Sequence, residues 1–177
     1  IHHEWFRRIP CTVIERRIDA KELPRDLTRI GRTVQDIGCT EAARSFGIEA
    51  GQIAILIHTG SRGFGYQICD DYLRTLGRAM QKYGIHLPDR QLACAPVQSE
   101  DGRAYLAAMA CAANFAWANR QTIQHLAERS LIEGMEASPR DVGLRLLYDV
   151  CHNVAKLEEH EVGGRLRRLC VHRKGAT

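Results

Sequence analysis

The feature that most limits how this chain folds is Gln52 to Gln67, QIAILIHTGSRGFGYQ. Gln52 to Ile57 is almost continuously apolar and rich in isoleucine, which reads as a strand buried on both faces. It runs directly into His58, then Thr59, Gly60, Ser61, Arg62, Gly63, Phe64 and Gly65. An imidazole able to bind metal therefore stands where a buried strand ends. The glycines allow backbone to approach a ligand closely and to offer N–H groups to an anion. Arg62 can fork onto a phosphate. The same residues also suit a plain strand-to-helix turn with a solvated arginine, and the stretch alone leaves both readings open.

A chain of 177 residues is long enough for one domain with a real core. Its 45% hydrophobic and 26% charged residues are ordinary for a soluble globular protein. The net charge of +4 points only weakly to an anionic partner, because clustering matters more than the total. The basic residues do cluster, as Arg7, Arg8, Arg16 and Arg17 and again as Arg165, Arg167, Arg168, Arg173 and Lys174. The seven cysteines are odd in number, include no C-x-x-C pair, and in several cases lie in apolar runs. That pattern predicts a reducing compartment and mostly buried thiols, not a disulfide framework or a zinc finger. With no apolar run of about 18 residues and no signal-peptide pattern, the expected location is cytoplasmic, without a membrane partner.

Residues 1–35 carry no clear periodicity. Cys11 to Ile14 suits a short strand, and Pro10 and Pro24 punctuate the segment. The adjacent His2 and His3 would point apart on regular structure and suit a tag remnant or a disordered terminus. Thr40 is expected to cap a short helix, with Ala42, Ala43 and Phe46 on one side and Gly47 as its stop. After Gly65 the spacing of Ile68, Tyr72, Leu73, Leu76, Ala79 and Met80 predicts a helix ended by Gly84. A loop over 89–102 leads to the longest helical pattern, Ala104 to Glu133. Its apolar face is Leu106, Met109, Ala110, Ala113, Ala116, Trp117, Ile123, Leu126, Ala127 and Leu131. Within it, Asn119 and Arg120 read as a partly exposed edge with a snorkelling arginine. After a connector at 136–140, Leu144, Leu146, Tyr148, Val150 and His152 share one parity, which predicts a strand carrying His152 inward. Such a histidine suits a satisfied core position, but His58 also follows a buried strand, which favours convergence of the two. Gly163-Gly164 signals a hairpin that returns through the basic strand beginning at Arg165.

Four stretches together closely resemble the RtcB family of RNA ligases: HTGSRGFG at 58–65, AANFAWANRQ at 112–121, DVCHNVAKLEEH at 149–160 and HRKGAT at 172–177. Their order and separations match the family's, and the resemblance runs from about Thr33 to Thr177, the middle of a much longer catalytic domain. Residues 1–35 are then a divergent or foreign N-terminal segment, and 36–177 the central part of an RtcB-like catalytic domain. The resemblance implies ligases that use GTP and two manganese ions to splice tRNA and repair RNA, with an archease-type activator protein as a further partner. His58 resembles a manganese-ligating histidine and His152 a second. Asn153 resembles a guanylate-contacting asparagine. Arg62 resembles the arginine that binds the RNA terminal phosphate, and Lys174 an active-site lysine near the phosphates. In the family, a histidine takes guanylate from GTP and passes it to an RNA 3′-phosphate formed from a 2′,3′-cyclic phosphate. A 5′-hydroxyl then displaces GMP.

The sequence departs from that pattern in three places. The upstream Asp/Cys metal motif is absent. PRDLTRIG at 24–31 stands where G-x-G-N-H-F belongs. The H-G-A-G-R motif with the guanylylated histidine is missing, and His86, His125, His160 and His172 do not match it. The chain is thus expected to be a fragment or truncated relative that is inactive alone. A non-catalytic remnant holding metal or RNA phosphate, and a metal-dependent phosphoesterase, are the alternatives. The expected fold is α+β, an RtcB-like mixed sheet with packed helices and an incomplete domain, with parallel βαβ order as the alternative. An incomplete domain would leave a sheet edge and apolar surface uncovered.

Overall fold

The computed structural model describes residues 11–17, 31–34, 37–89, 92–151 and 153–174, with 11–17, 31–33 and 174 described by backbone alone. The chain divides into two compact units, one on 8–59 and 118–150, the other on 60–117 and 151–177.

The isoleucine run forms the strand that organises the first unit. Strands β1 (Cys11–Arg17), β2 (Gly31–Thr33), β3 (Gln52–Leu56) and β4 (Leu144–Tyr148) make a sheet in the order β2-β3-β1-β4. The expected mixed sheet is not what forms here: every pairing among the described strands is antiparallel, and α+β describes the whole. Ile53, Ile55 and Ile57 alternate onto one buried face. They pack with Ala127 and Leu131 of α3 (Glu100–Gly134) and with Val142 of α4 (Pro139–Val142). Each isoleucine so buried contributes about 1.5–3 kcal/mol. The expectation of burial on both faces is corrected by Leu56, which is 42% exposed. An antiparallel sheet needs cover on only one side, and α3 supplies it. Gln52 is buried on this strand, and its side-chain carbonyl accepts the Glu49 N–H at 2.8 Å. Helix α1 (Thr40–Phe46) ends at Gly47, whose φ of 64° is the left-handed stop that glycine supplies.

Because β1 is antiparallel to both β3 and β4, those two strands run in the same direction. Their last residues, Leu56 and Tyr148, both pair with Cys11. The exits of β3 and β4 therefore lie at one end of the sheet, two strands or about 10 Å apart. The parity argument for β4 fails, however. Leu146 and Tyr148 are 43% and 41% exposed, Leu147 between them is half-buried, and the strand ends at Tyr148. The alternation therefore does not carry through to His152, which lies outside the described residues. β4 is an edge strand, so its apolar residues are less enclosed than a central strand's.

The second unit holds α2 (Arg62–Lys82), the first part of α3, and a hairpin of β5 (Asn153–Val162) and β6 (Arg165–Lys174). α2 and α3 are antiparallel. Phe64 meets Phe115 edge-on at 5.7 Å, Tyr72 meets Tyr105 at 5.3 Å, and the Tyr83 hydroxyl donates to Asp101 at 3.1 Å. Gly163 and Gly164, with φ of 59° and 71°, make the two-residue turn that glycine permits. Lys156 of β5 lies over the Trp117 ring at 5.4 Å. Leu157, Val162, Leu166 and Leu169 of the hairpin are exposed.

Leu126, placed on the apolar face of α3 from sequence, is 53% exposed. The thiols also differ from expectation. Cys39, Cys69 and Cys111 are exposed, Cys94, Cys151 and Cys170 are half-buried, and all six are free. Among the described residues no helix is long and apolar enough to cross a membrane.

Candidate active site

His58 stands two residues beyond β3 and is exposed, so its imidazole is accessible from solvent. The residue after it is held in place. Asn119 of α3 donates through Nδ2 to the Thr59 hydroxyl at 3.1 Å. The neighbouring residue on α3 overturns the snorkelling reading. Arg120 is only 3% exposed, and its Nε donates to Asp149 Oδ1 at 2.6 Å. A guanidinium taken out of water needs such a partner, because the desolvation cost is several kcal/mol per ion. Asp149 is the first residue beyond β4. Sequence reasoning missed Thr59, Asn119, Arg120 and Asp149 as a set. All four lie within quoted motifs, and Asp149 opens one, but nothing in the spacing shows that one helix reaches both strand exits.

Arg62 is the first residue of α2 and is exposed, with a left-handed φ of 53°. A non-glycine residue held there stores about 1–3 kcal/mol of strain, and such strain persists where the surroundings fix it. Ser61 takes the N-cap position without a side-chain capping bond. The first-turn N–H groups of a helix have no partner inside the helix, and they suit an anion. Gly65 permits the tight approach, because a Cβ there would collide with the Ser61 hydroxyl.

Asn153 opens β5 and is exposed, and the hairpin register sets it directly opposite Lys174. Two predicted site residues far apart in sequence are thus brought together as a cross-strand pair. Arg62, Asn153 and Lys174 belong to the second unit and His58 to the first. Beside this pair, Arg173 of β6 donates to both carboxylate oxygens of Glu158, at 2.8 Å for Nη2, and His160 contacts the same carboxylate at 3.1 Å. The Arg173 hydrogen bond, then that of His160, lowers the Glu158 carboxyl from 4.5 to about 2. A depressed carboxylate contributes stability above its unfolded value and loses it as the pH falls through the folded one. The hairpin contribution of Glu158 is therefore complete above pH about 4.5 and lost towards pH 2. Carbon-detected NMR titration is expected to give a Glu158 midpoint near 2 that climbs towards 4.5 in Arg173→Leu. An unmoved midpoint in that variant would remove Arg173 as the cause.

Imidazole suits a transition-metal ion such as manganese when carboxylate or thiolate completes the donor set. Among the described residues, however, no group of three or more His, Cys, Asp or Glu side chains could hold a metal ion. His58 fits as one donor, and the described residues do not make a complete site around it.

The likeness to known proteins is close along most of the chain. A family model described as tRNA-splicing ligase RtcB matches residues 32–177. The tRNA-splicing ligase RtcB of Archaeoglobus fulgidus is 55% identical over 137 residues, covering 77% of this chain and 28% of that protein. That of Methanocaldococcus jannaschii is 53% identical over 144 residues, covering 81% of this chain and 15% of that protein. The RNA-splicing ligase RtcB of Mycobacterium bovis is 54% identical over 136 residues, covering 77% and 30% respectively. The chain thus spans between 15% and 30% of the length of these curated relatives. With the strand exit, the α2 start and the Asn153–Lys174 pair all inside the matched span, the chain belongs to the RtcB family.

Proposed function

We propose that this chain is part of a cytoplasmic, GTP- and manganese-dependent RNA ligase. It would join RNA ends bearing a 3′-phosphate or 2′,3′-cyclic phosphate to 5′-hydroxyl ends, in tRNA splicing and RNA repair. The observation that carries this reading is the family match over residues 32–177, which contains all four motifs. In this reading Arg62, at the start of α2, binds the RNA terminal phosphate together with first-turn N–H groups. Its guanidinium neutralises charge developing on the transferring phosphoryl group. Asn153 and Lys174 face the nucleotide, the amide as a hydrogen-bonding group and the ammonium as a counter-charge to phosphate. His58 and His152 supply two imidazoles to a manganese site whose other donors come from elsewhere, and a metal held there would polarise phosphoryl oxygens. An archease-type activator protein is the proposed protein partner. None of His86, His125, His160 and His172 carries the guanylate.

Incubation with manganese and GTP labelled at the α-phosphate tests the reading directly. The 177-residue chain is expected to take up no label, whereas a longer ligase containing this sequence takes up label and passes it to an RNA 3′-phosphate end. Arg62→Ala in that longer protein is expected to slow ligation by about 100-fold or more, the usual loss for one donor to a developing oxyanion. Label on the 177-residue chain itself would refute the absence of the nucleophile. Full ligation by Arg62→Ala would remove the phosphate role.

A further inference from the structure

The hairpin of β5 and β6 sorts its charges between its two faces. Residues directly opposite in an antiparallel pair share a face, so Lys156, Glu158 and His160 of β5 stand with Arg165, Arg167 and Arg173 of β6. Glu158 is the one carboxylate on that face, and Arg173 and His160 already hold it. Arg165 and Arg167 are exposed and have no ion pair among the described residues. Lys156 is exposed as well, with its ammonium over the Trp117 ring at 5.4 Å. The other face balances Glu159 and Glu161 with Arg168 and, by register, Lys174. Charges that only keep a strand from pairing with other chains need no such sorting, because either sign on either face serves. The surplus of cations on one face therefore points to a polyanionic partner.

We propose that this face of the hairpin is a docking surface for the RNA backbone at a distance from the ends being joined. The proposal rests on the RNA-ligase reading above and adds where the body of the substrate lies. Arginine suits phosphate because its planar fork binds two oxygens at once. At about 3.4 Å per residue, Arg165 and Arg167 lie about 7 Å apart along one side of β6. Such regular spacing suits a chain whose phosphates recur at a fixed repeat, which the carboxylates of a folded protein do not. The same rise puts Arg167 and Arg165 roughly 24 and 31 Å along the strand from Lys174. An RNA end held near the Asn153–Lys174 pair must then extend on the order of ten nucleotides to reach them. Phosphate contacts carry no base information, so the surface adds affinity for long RNA of any sequence.

The test measures binding of 3′-phosphorylated single-stranded RNA to the 177-residue chain by fluorescence anisotropy. Strands of about 20 and about 4 nucleotides are compared, since only the longer spans the hairpin. Arg165→Gln with Arg167→Gln is expected to weaken the long strand on the order of tenfold at low salt and to leave the short one unchanged. The slope of log affinity against log salt is expected to fall by about 1.4, because each phosphate contact to a single strand contributes about 0.7. Arg165→Lys with Arg167→Lys keeps the charge and is expected to keep the slope. Arg168→Gln, on the balanced face, is expected to bind as the parent does. Parent-like affinity and slope in the double Gln variant would overturn the surface. So would a matching loss per charge in Arg168→Gln, which would mean that net charge alone is read. Equal affinity of the parent for long and short strands would overturn it too. Poly-glutamate binding that the double Gln variant loses while keeping RNA would give the face to an acidic protein instead. In a longer ligase containing this sequence, the double Gln variant is expected to raise KM for long RNA about tenfold with kcat unchanged. A parent-like KM there would overturn the docking surface alone. No ligation by the unaltered longer protein would overturn the ligase reading instead, and anisotropy would still decide the surface.

Discussion

Ile55→Ala is expected to lower the free energy of unfolding by about 2–5 kcal/mol, with no change in the denaturant slope. Ile55 is fully buried at the centre of β3, packed among Ile53, Ile57, Ala127, Leu131 and Val142. Removing three carbons from such a site costs the lost transfer energy and leaves a cavity that a sheet paired on both sides cannot close. β3 is paired to β2 on one edge and β1 on the other, so its backbone has little room to move inward. Ile55→Val, which removes one carbon, is expected to cost about 0.5–1.5 kcal/mol. Leu56→Ala on the same strand is expected to stay within about 0.5 kcal/mol, since Leu56 is 42% exposed. Urea unfolding of the three variants decides the matter. Equal losses at Ile55 and Leu56 would mean that both faces of β3 are covered, contrary to the exposure of Leu56.

That pair of positions also shows what the sequence can and cannot reveal. The run Gln52 to Ile57 marks a strand because six residues are almost all apolar, but a run of this kind does not say how many faces are covered. Cover depends on where α3 lies, and α3 is distant in sequence. The helices were legible for a local reason. Leu76, Ala79, Ala116, Ala127 and Leu131 recur at helical spacing, and glycines at 47 and 84 sit where each helix must stop. The hairpin was legible too, because Gly163-Gly164 supplies the two left-handed residues its turn requires. β4 was misread because parity was followed past the strand's end. An apolar series continues through Tyr148, Val150 and His152 in the sequence, while the backbone leaves the sheet after Tyr148.

His58, Arg62, Asn153 and Lys174 were singled out by motif likeness, not by periodicity. The structure adds the register that sets Asn153 opposite Lys174 and the positive φ at Arg62. Neither follows from residue types. Arg120 shows the opposite limit. An arginine on an alanine-rich helix reads as a snorkelling edge because its charge normally stays in water. Its burial becomes reasonable only once Asp149 is seen beside it, and a pairing between a helix and a strand exit leaves no local trace in sequence.

Asp149→Ala is accordingly expected to destabilise the protein by about 1.5–3 kcal/mol, the range for a hydrogen bond to a charged group. The Arg120 side chain is 4% exposed and that of Asp149 is 23% exposed. The arginine therefore bears the larger desolvation cost, and partial solvation of the carboxylate keeps the loss below that of a wholly buried pair. Arg120→Met with Asp149→Leu is expected to return to within about 1 kcal/mol of the parent, because the double change removes both the charge and its partner. The two single changes should then be strongly non-additive in a double-mutant cycle. Salt separates this pair from surface pairs such as Arg129–Glu133, whose side chains are 61% and 65% exposed. Raising the salt to about 1 M shortens the screening length to about 3 Å, which weakens exposed pairs while leaving a buried one largely intact. The Asp149→Ala loss should therefore persist in high salt, whereas any effect of Glu133→Gln should fade. A silent Asp149→Ala would mean that other neighbours of Arg120 hold its charge, and β4 would then leave the sheet without an anchor from this pair.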